Sequence, residues 1–200
     1  MLKKLFFCLS LICAVSVAYA AEEPDHAIHE ELRGVLRTVE SAINSGEFDK
    51  MLPVLSEQVR VTPVTQEFIP NKSEVIPYFT KWFGKDGYLA KLEMNLNADQ
   101  LTELAADKSW GIVTGDGIEK YLLSDGRPYE LHTRWTATMI KEADERWRLR
   151  AIHMGTNFLD NPILAGAERA VISITVAGAG GGLLVGLFFG WLFGRRKKKA

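Results

Sequence analysis

Residues 42–63 read AINSGEFDKMLPVLSEQVRVTP, and three kinds of backbone meet in that stretch. Ala42 and Ile43 close a run in which Ile28, Leu32, Val35, Leu36, Val39 and Ile43 recur three, four or seven residues apart. That spacing lays one apolar stripe along a helix, and Gly46 should end it. Phe48, Met51, Leu52 and Leu55 suggest a second, short helix, with Pro53 tolerable only in a first turn. Val59, Val61 and Pro63 then alternate with polar residues, as in a short strand.

Downstream, Ser73 is placed to cap a third helix, with Val75, Phe79, Trp82 and Phe83 on one face and Gly84 at its end. The pattern then changes to period two. Leu92, Met94 and Leu96 form one strand, and residues 109–114, 118–123, 129–140 and 147–154 form four more. Thr114-Gly115-Asp116-Gly117 should be a bulge or bend. Ser124-Asp125-Gly126-Arg127 should be a tight hairpin turn and residues 141–146 a looser one. Helices followed by an antiparallel meander predict an α+β layout.

Two stretches carry a family resemblance: residues 42–63, and RWTATMIKEADERWRLRAIHMGTNF at 134–158. The first resembles the helix–helix–strand opening of the SnoaL-like branch of the nuclear transport factor 2-like superfamily. The second is similar to that branch's final hairpin. The resemblance covers residues 27–158. It implies a cone, with helices packed on a curved antiparallel sheet around a pocket, often in a dimer. That superfamily includes ketosteroid isomerases, polyketide cyclases, dehydratases and non-enzymatic binding domains, so fold alone does not choose a function.

Both ends are expected to be targeting segments. Residues 1–20 carry two lysines, an apolar run and Ala18-Tyr19-Ala20, the pattern of a cleaved secretory signal peptide. Both cysteines, Cys8 and Cys13, lie in it, so the mature chain would have no disulfide, thiolate nucleophile or cysteine metal site. Residues 171–194 are uncharged and apolar, and 24 residues of helix span roughly 36 Å, enough to cross a bilayer. Gly178, Gly182, Gly186, Gly190 and Gly194 recur every four residues there. Such a stripe lets helices approach closely, which implies a homodimer or another membrane-protein partner. The tail at 195–200 carries five cations and should stay cytoplasmic. The expected map is a signal peptide at 1–20, a domain at 21–158, a linker and helix start at 159–170, one span at 171–194 and a tail at 195–200. Asn161-Pro162 should open the final helix. A bacterial inner-membrane protein with its domain in the periplasm fits this order. Residues 21–170 hold 17 Lys and Arg against 25 Asp and Glu, which argues against nucleic acid as a partner.

On the last strand, Trp147, Leu149, Ala151 and His153 alternate with Arg148 and Arg150. Strict alternation points His153 into the cone beside Trp135, as a candidate base or ligand hydrogen-bonder, or as a core histidine bonded to a carbonyl. Trp82, Trp110, Tyr121, Trp135 and His153 are the expected pocket lining. Asp99, Asp107, Asp116 and Glu119 are the candidate carboxylates, and none has sequence neighbours apolar enough to tune it. His26 and His29 have metal-ligand spacing but should form a solvated first helical turn. His132 and Arg134 should lie on the sheet's outer face, which the resemblance makes a dimer surface. No metal and no cofactor are expected. The expected function is an anchored extracytoplasmic domain that binds a small hydrophobic ligand or a protein partner without catalysis. The alternatives are an isomerase, cyclase or dehydratase acting on a small hydrophobic carbonyl compound, and a structural docking module of a membrane complex.

Overall fold

Helix α1 (His26–Ser45) forms from the apolar stripe, and its buried residues His29, Leu32, Val35, Ala42 and Ile43 fall on one face. Gly46 ends it at φ 72°, a left-handed conformation that glycine adopts without strain. The structure, a computed structural model, describes residues 25–196. The expected signal peptide and Lys197, Lys198 and Lys199 of the tail lie outside the described residues. A 3-10 helix, Phe48–Val54, contains Pro53 and leads into β1 (Leu55–Thr62). Another 3-10 turn, Lys72–Glu74, precedes α2 (Val75–Phe83). Its cap is Asn71 and not the expected Ser73. Asn71 Oδ1 accepts from the Glu74 N–H at 3.3 Å and from the Ser73 hydroxyl at 2.7 Å.

The remaining strands are β2 (Leu89–Ala98), β3 (Glu103–Leu104), β4 (Trp110–Leu123), β5 (Pro128–Lys141) and β6 (Trp147–Thr156). They form one sheet in the order β1-β6-β5-β4-β2, with β3 beside the start of β4. β1 runs parallel to β6 and the other pairs are antiparallel. The sheet is curved and does not close. Buried side chains of α1, α2 and the strands' inner face make one apolar core, so the layout is α+β.

Two local expectations fail, each for a physical reason. Trp110–Leu123 forms one strand where two were expected, and the paired register runs unbroken through Gly115 and Gly117. Gly115 faces inward opposite Trp135. A Cβ there would collide with the Asn97 carbonyl oxygen and the Trp135 indole. The glycine serves a close approach: the indole lies against bare backbone, and its Nε1–H donates to the Asp116 carbonyl at 2.8 Å. The real irregularity lies in β6. Leu149 pairs with Met139 and Ala151 with Thr138, so Arg150 is an extra residue. Side chains alternate with period two, and one inserted residue turns everything after it to the other face. Trp147 and Leu149 point inward, and so do Ile152 and Met154, while His153 is exposed on the outer face.

Helix α1 also closes the open edge of β2. The Asn44 side chain donates to the Met94 carbonyl at 2.9 Å and accepts from the Met94 N–H at 2.6 Å. The Glu40 carboxylate accepts from the Leu96 N–H at 2.6 Å. An edge strand otherwise leaves such groups unpaired. The other edge is covered where Val61 and Ile69 exchange backbone hydrogen bonds of 3.0 and 2.9 Å.

Helix α3 (Pro162–Arg196) starts as expected: Asn161 Oδ1 accepts from the Ile163 and Leu164 N–H groups at 3.1 and 3.0 Å. Its segment Pro162–Trp191 holds an 18-residue window with a mean hydropathy of 2.0 and is long and apolar enough to cross a membrane. Among the described residues, no other part of the chain approaches Gly178, Gly182, Gly186 or Gly190 within 4 Å of where a Cβ would sit. Gly194 lies in the same helix.

Candidate functional site

Glu119 and Tyr121 are two residues apart on β4 and share its inner face. Glu119 pairs with Met94 of β2 on one side and Leu131 of β5 on the other, and only 1% of it is exposed. The Tyr121 hydroxyl donates to Glu119 Oε2. Glu119 Oε1 has no hydrogen-bond partner among the described residues. Burial pushes the Glu119 carboxyl above its ordinary range, and the hydrogen bond from Tyr121 and the nearby Thr133 hydroxyl offset this only in part. The Thr133 hydroxyl itself donates to the Gly117 carbonyl at 3.4 Å. Tyr78, on α2, shares a 3.1 Å hydrogen bond with the Thr65 hydroxyl and is pushed up to about 12, chiefly by burial. Tyr121 is pushed up further, by burial first and then by the Glu119 charge.

These groups line a cavity of about 90 Å³ between the helices and the sheet. Its walls are otherwise apolar, with Ile43, Leu92, Phe79 and Met154 among them. Among its lining residues Glu119 is the only carboxyl, and there is no His, Lys or Arg. A second cavity of about 110 Å³ lies under α1, walled by Leu32, Val35, Leu36, Trp135, Ala137 and Met139. His29, Arg33, Gln100 and Thr102 are its polar lining. The two cavities share Val39, Leu96, Leu149 and Ile152. A carboxyl kept neutral in an apolar wall can donate a hydrogen bond or a proton, and no cation stands by to hold it ionised.

Of the residues singled out from sequence, Tyr121 lines the first cavity and Trp135 the second. Trp82 lines neither, and its indole N–H is buried without a partner among the described residues. Trp110 lies on the outer face, 45% exposed. His153 is also outside, in an open hollow with Asp116, His132, Arg134 and Thr136, because of the Arg150 bulge. His26 and His29 part company: His26 is exposed, whereas His29 is buried in the wall of the second cavity and not solvated. Asp99 follows β2 and pairs with Arg134, which together with Thr114 holds its carboxyl below the usual range. Glu119 is the group that sequence reasoning misjudged. Its sequence neighbours are polar, but its inward companions at period two are Gly117, Tyr121 and Leu123, and its cross-strand partners are apolar.

No family model matches the sequence, and no curated protein matches it either. Solved structures do match in shape. A nuclear transport factor 2-like superfamily protein from Salmonella enterica serovar Typhimurium aligns over 65% of this chain and 91% of its own, at 13% identity and a TM-score of 0.55. The chain has the nuclear transport factor 2-like fold. A ketosteroid isomerase-like protein from Erwinia carotovora atroseptica aligns over 65% of this chain and 94% of its own, at 11% identity and a TM-score of 0.53. A type 2 hexachlorocyclohexane dehydrochlorinase aligns over 66% and 86%, at 9% identity and a TM-score of 0.55. Such identities establish the shared nuclear transport factor 2-like fold and nothing about activity.

Proposed function

We propose that this nuclear transport factor 2-like domain holds a small, uncharged, apolar molecule inside its cone, and that a neutral Glu119 donates the hydrogen bond that orients it. The observation that carries this reading is the unpartnered Glu119 Oε1 in an otherwise apolar wall. A buried donor without an acceptor costs about 1–3 kcal/mol, which a ligand with one acceptor oxygen would recover. A ketone, aldehyde, ester or ether oxygen is the complement, because none of them brings charge into the cavity. An anion would find no cation there.

A second reading attaches to the same group. A carboxyl with a raised pKa suits a general acid, so an isomerase, cyclase or dehydratase acting on a small hydrophobic carbonyl compound is the alternative. Binding without catalysis is preferred because the cavity lining offers Glu119 no second acid–base group to work with: both tyrosines are pushed up, and no histidine or lysine lines it. The two cavities favour either reading over a filled docking module. For the setting, a cleaved leader and a cytoplasmic basic tail would put the domain in the periplasm, beside the inner membrane that α3 spans. The glycine stripe would pair α3 with a second copy or another membrane helix.

Titration of the full-length protein, held in amphipol, with 2-hexanone and with hexane tests the binding reading. Glu119→Gln keeps a donor on its amide and should bind the ketone within a few fold of wild type. Glu119→Met keeps the bulk and loses the donor, so ketone affinity should fall about tenfold while hexane affinity holds. Equal ketone affinity in wild type and Glu119→Met would contradict the reading. Turnover of an enolisable ketone that disappears in Glu119→Gln would favour the enzyme.

A further inference from the structure

We infer that the ligand is a single extended chain, with its acceptor oxygen at Glu119 and its apolar tail passing between Val39, Leu96, Leu149 and Ile152 into the second cavity under α1. This rests on the reading of the Glu119 cavity as a ligand site.

Shape is the first support. The cavities measure about 90 and about 110 Å³. Neither matches the roughly 150 Å³ of an engineered apolar cavity that takes up benzene, but the two together exceed it. Two small spaces that share four lining residues suit a chain reaching from one into the other better than a broad ring. Their common wall is four apolar side chains, one from α1, one from β2 and two from β6. The Arg150 bulge makes Leu149 and Ile152 successive inward side chains, three residues apart instead of two, where the cavities meet. A bulge thus widens the spacing of inner-face side chains at the one place where a chain would have to pass.

Polarity is the second support. Of the two cavities, only the first is lined by a residue with a buried, unpartnered polar atom, Glu119. In the second, the Trp135 indole N–H is already taken by the Asp116 carbonyl, and none of the lining side chains has a buried polar atom without a partner among the described residues. The polar residues of that cavity are His29, Arg33, Gln100 and Thr102, and the rest of its lining is aliphatic and aromatic. The ligand class that fits is an unbranched, single-chain amphiphile with a neutral oxygen head, such as a long-chain ketone, aldehyde or ester.

The test is a homologous series of 2-alkanones, titrated calorimetrically into the full-length protein in amphipol. Each added methylene should tighten binding about fourfold until the second cavity is full, after which affinity should level off. Ala137→Leu puts bulk into the second cavity alone and should move that levelling-off to shorter chains. Leu32→Ala enlarges it and should move it to longer chains. If the wild-type series levels off as soon as the first cavity is filled, or neither variant moves the limit, the extended-chain inference is overturned while Glu119-dependent binding of short ketones stands. If short ketones fail to bind, or bind Glu119→Met equally well, the underlying reading fails and takes this inference with it.

Discussion

Glu119 and Asp99 are both carboxyls within reach of the β2–β4 pair, and the two sides of the sheet give them opposite chemistry. Glu119 is on the inner face, 1% exposed, with one tyrosine hydroxyl for company, and burial raises its pKa. Asp99 is outside, meets the Arg134 guanidinium with both oxygens, and is held below its usual range. Solvent and a fixed cation keep one charged, and the loss of both pushes the other toward neutrality. What sets each carboxyl's chemistry is therefore not the residue type but the side of the strand on which it falls.

The largest predicted effect breaks the inner face itself. Gly115→Ala would drive a carbon into the Asn97 carbonyl and the Trp135 indole. It should destabilise the domain by about 3 kcal/mol in a urea titration, since neither backbone nor a buried indole can yield cheaply. Next is Asn44→Ala, which removes both hydrogen bonds that α1 makes to Met94 on the β2 edge. A loss of about 2 kcal/mol is expected, because the Met94 backbone groups lose their partners.

A third change sharpens the contrast between the faces through pH. The raised folded-state pKa of Glu119 means that its stability contribution is fully present below the unfolded value, near 4.5, and is lost as pH rises through the folded value. Wild type should therefore lose stability relative to Glu119→Gln as pH increases across that window, seen as diverging thermal midpoints. Asp99 runs the other way. Its lowered pKa gives a contribution present above the unfolded value, near 3.8, and lost as pH falls through the folded one. Arg134→Ala should remove that acid-side dependence and be insensitive to pH on the neutral side. Smallest of all is His153→Ala. Exposed beyond the bulge, it should change stability by less than about 0.5 kcal/mol and leave ketone binding unchanged.

The elements were legible in sequence wherever periodicity was clean. The stripe from Ile28 to Ile43, the Gly46 stop, the Asn161-Pro162 start and the alternation of Leu92, Met94 and Leu96 each led to the structure observed. The site was not, because a few single residues decide it. Arg150 is an ordinary residue in an alternating strand, and nothing in its neighbours marks it as the bulge that turns His153 outward. Gly115 and Gly117 read as a break because glycine is a usual breaker, whereas here they clear space for Trp135 and Leu96. Glu119 looked solvated because its flanks along the chain are polar. Its burial is set by Met94 and Leu131, partners 25 and 12 positions away in the chain, which only the assembled sheet brings near.

The most direct measurement is an infrared titration of the protein beside Glu119→Gln, following the stretch of the protonated carboxyl. A band absent from Glu119→Gln should persist in wild type well above the pH at which ordinary glutamates ionise, and should shift when a 2-alkanone binds. Loss of that band in the ordinary glutamate range, or no response to ketone, would contradict a neutral donor in the cone.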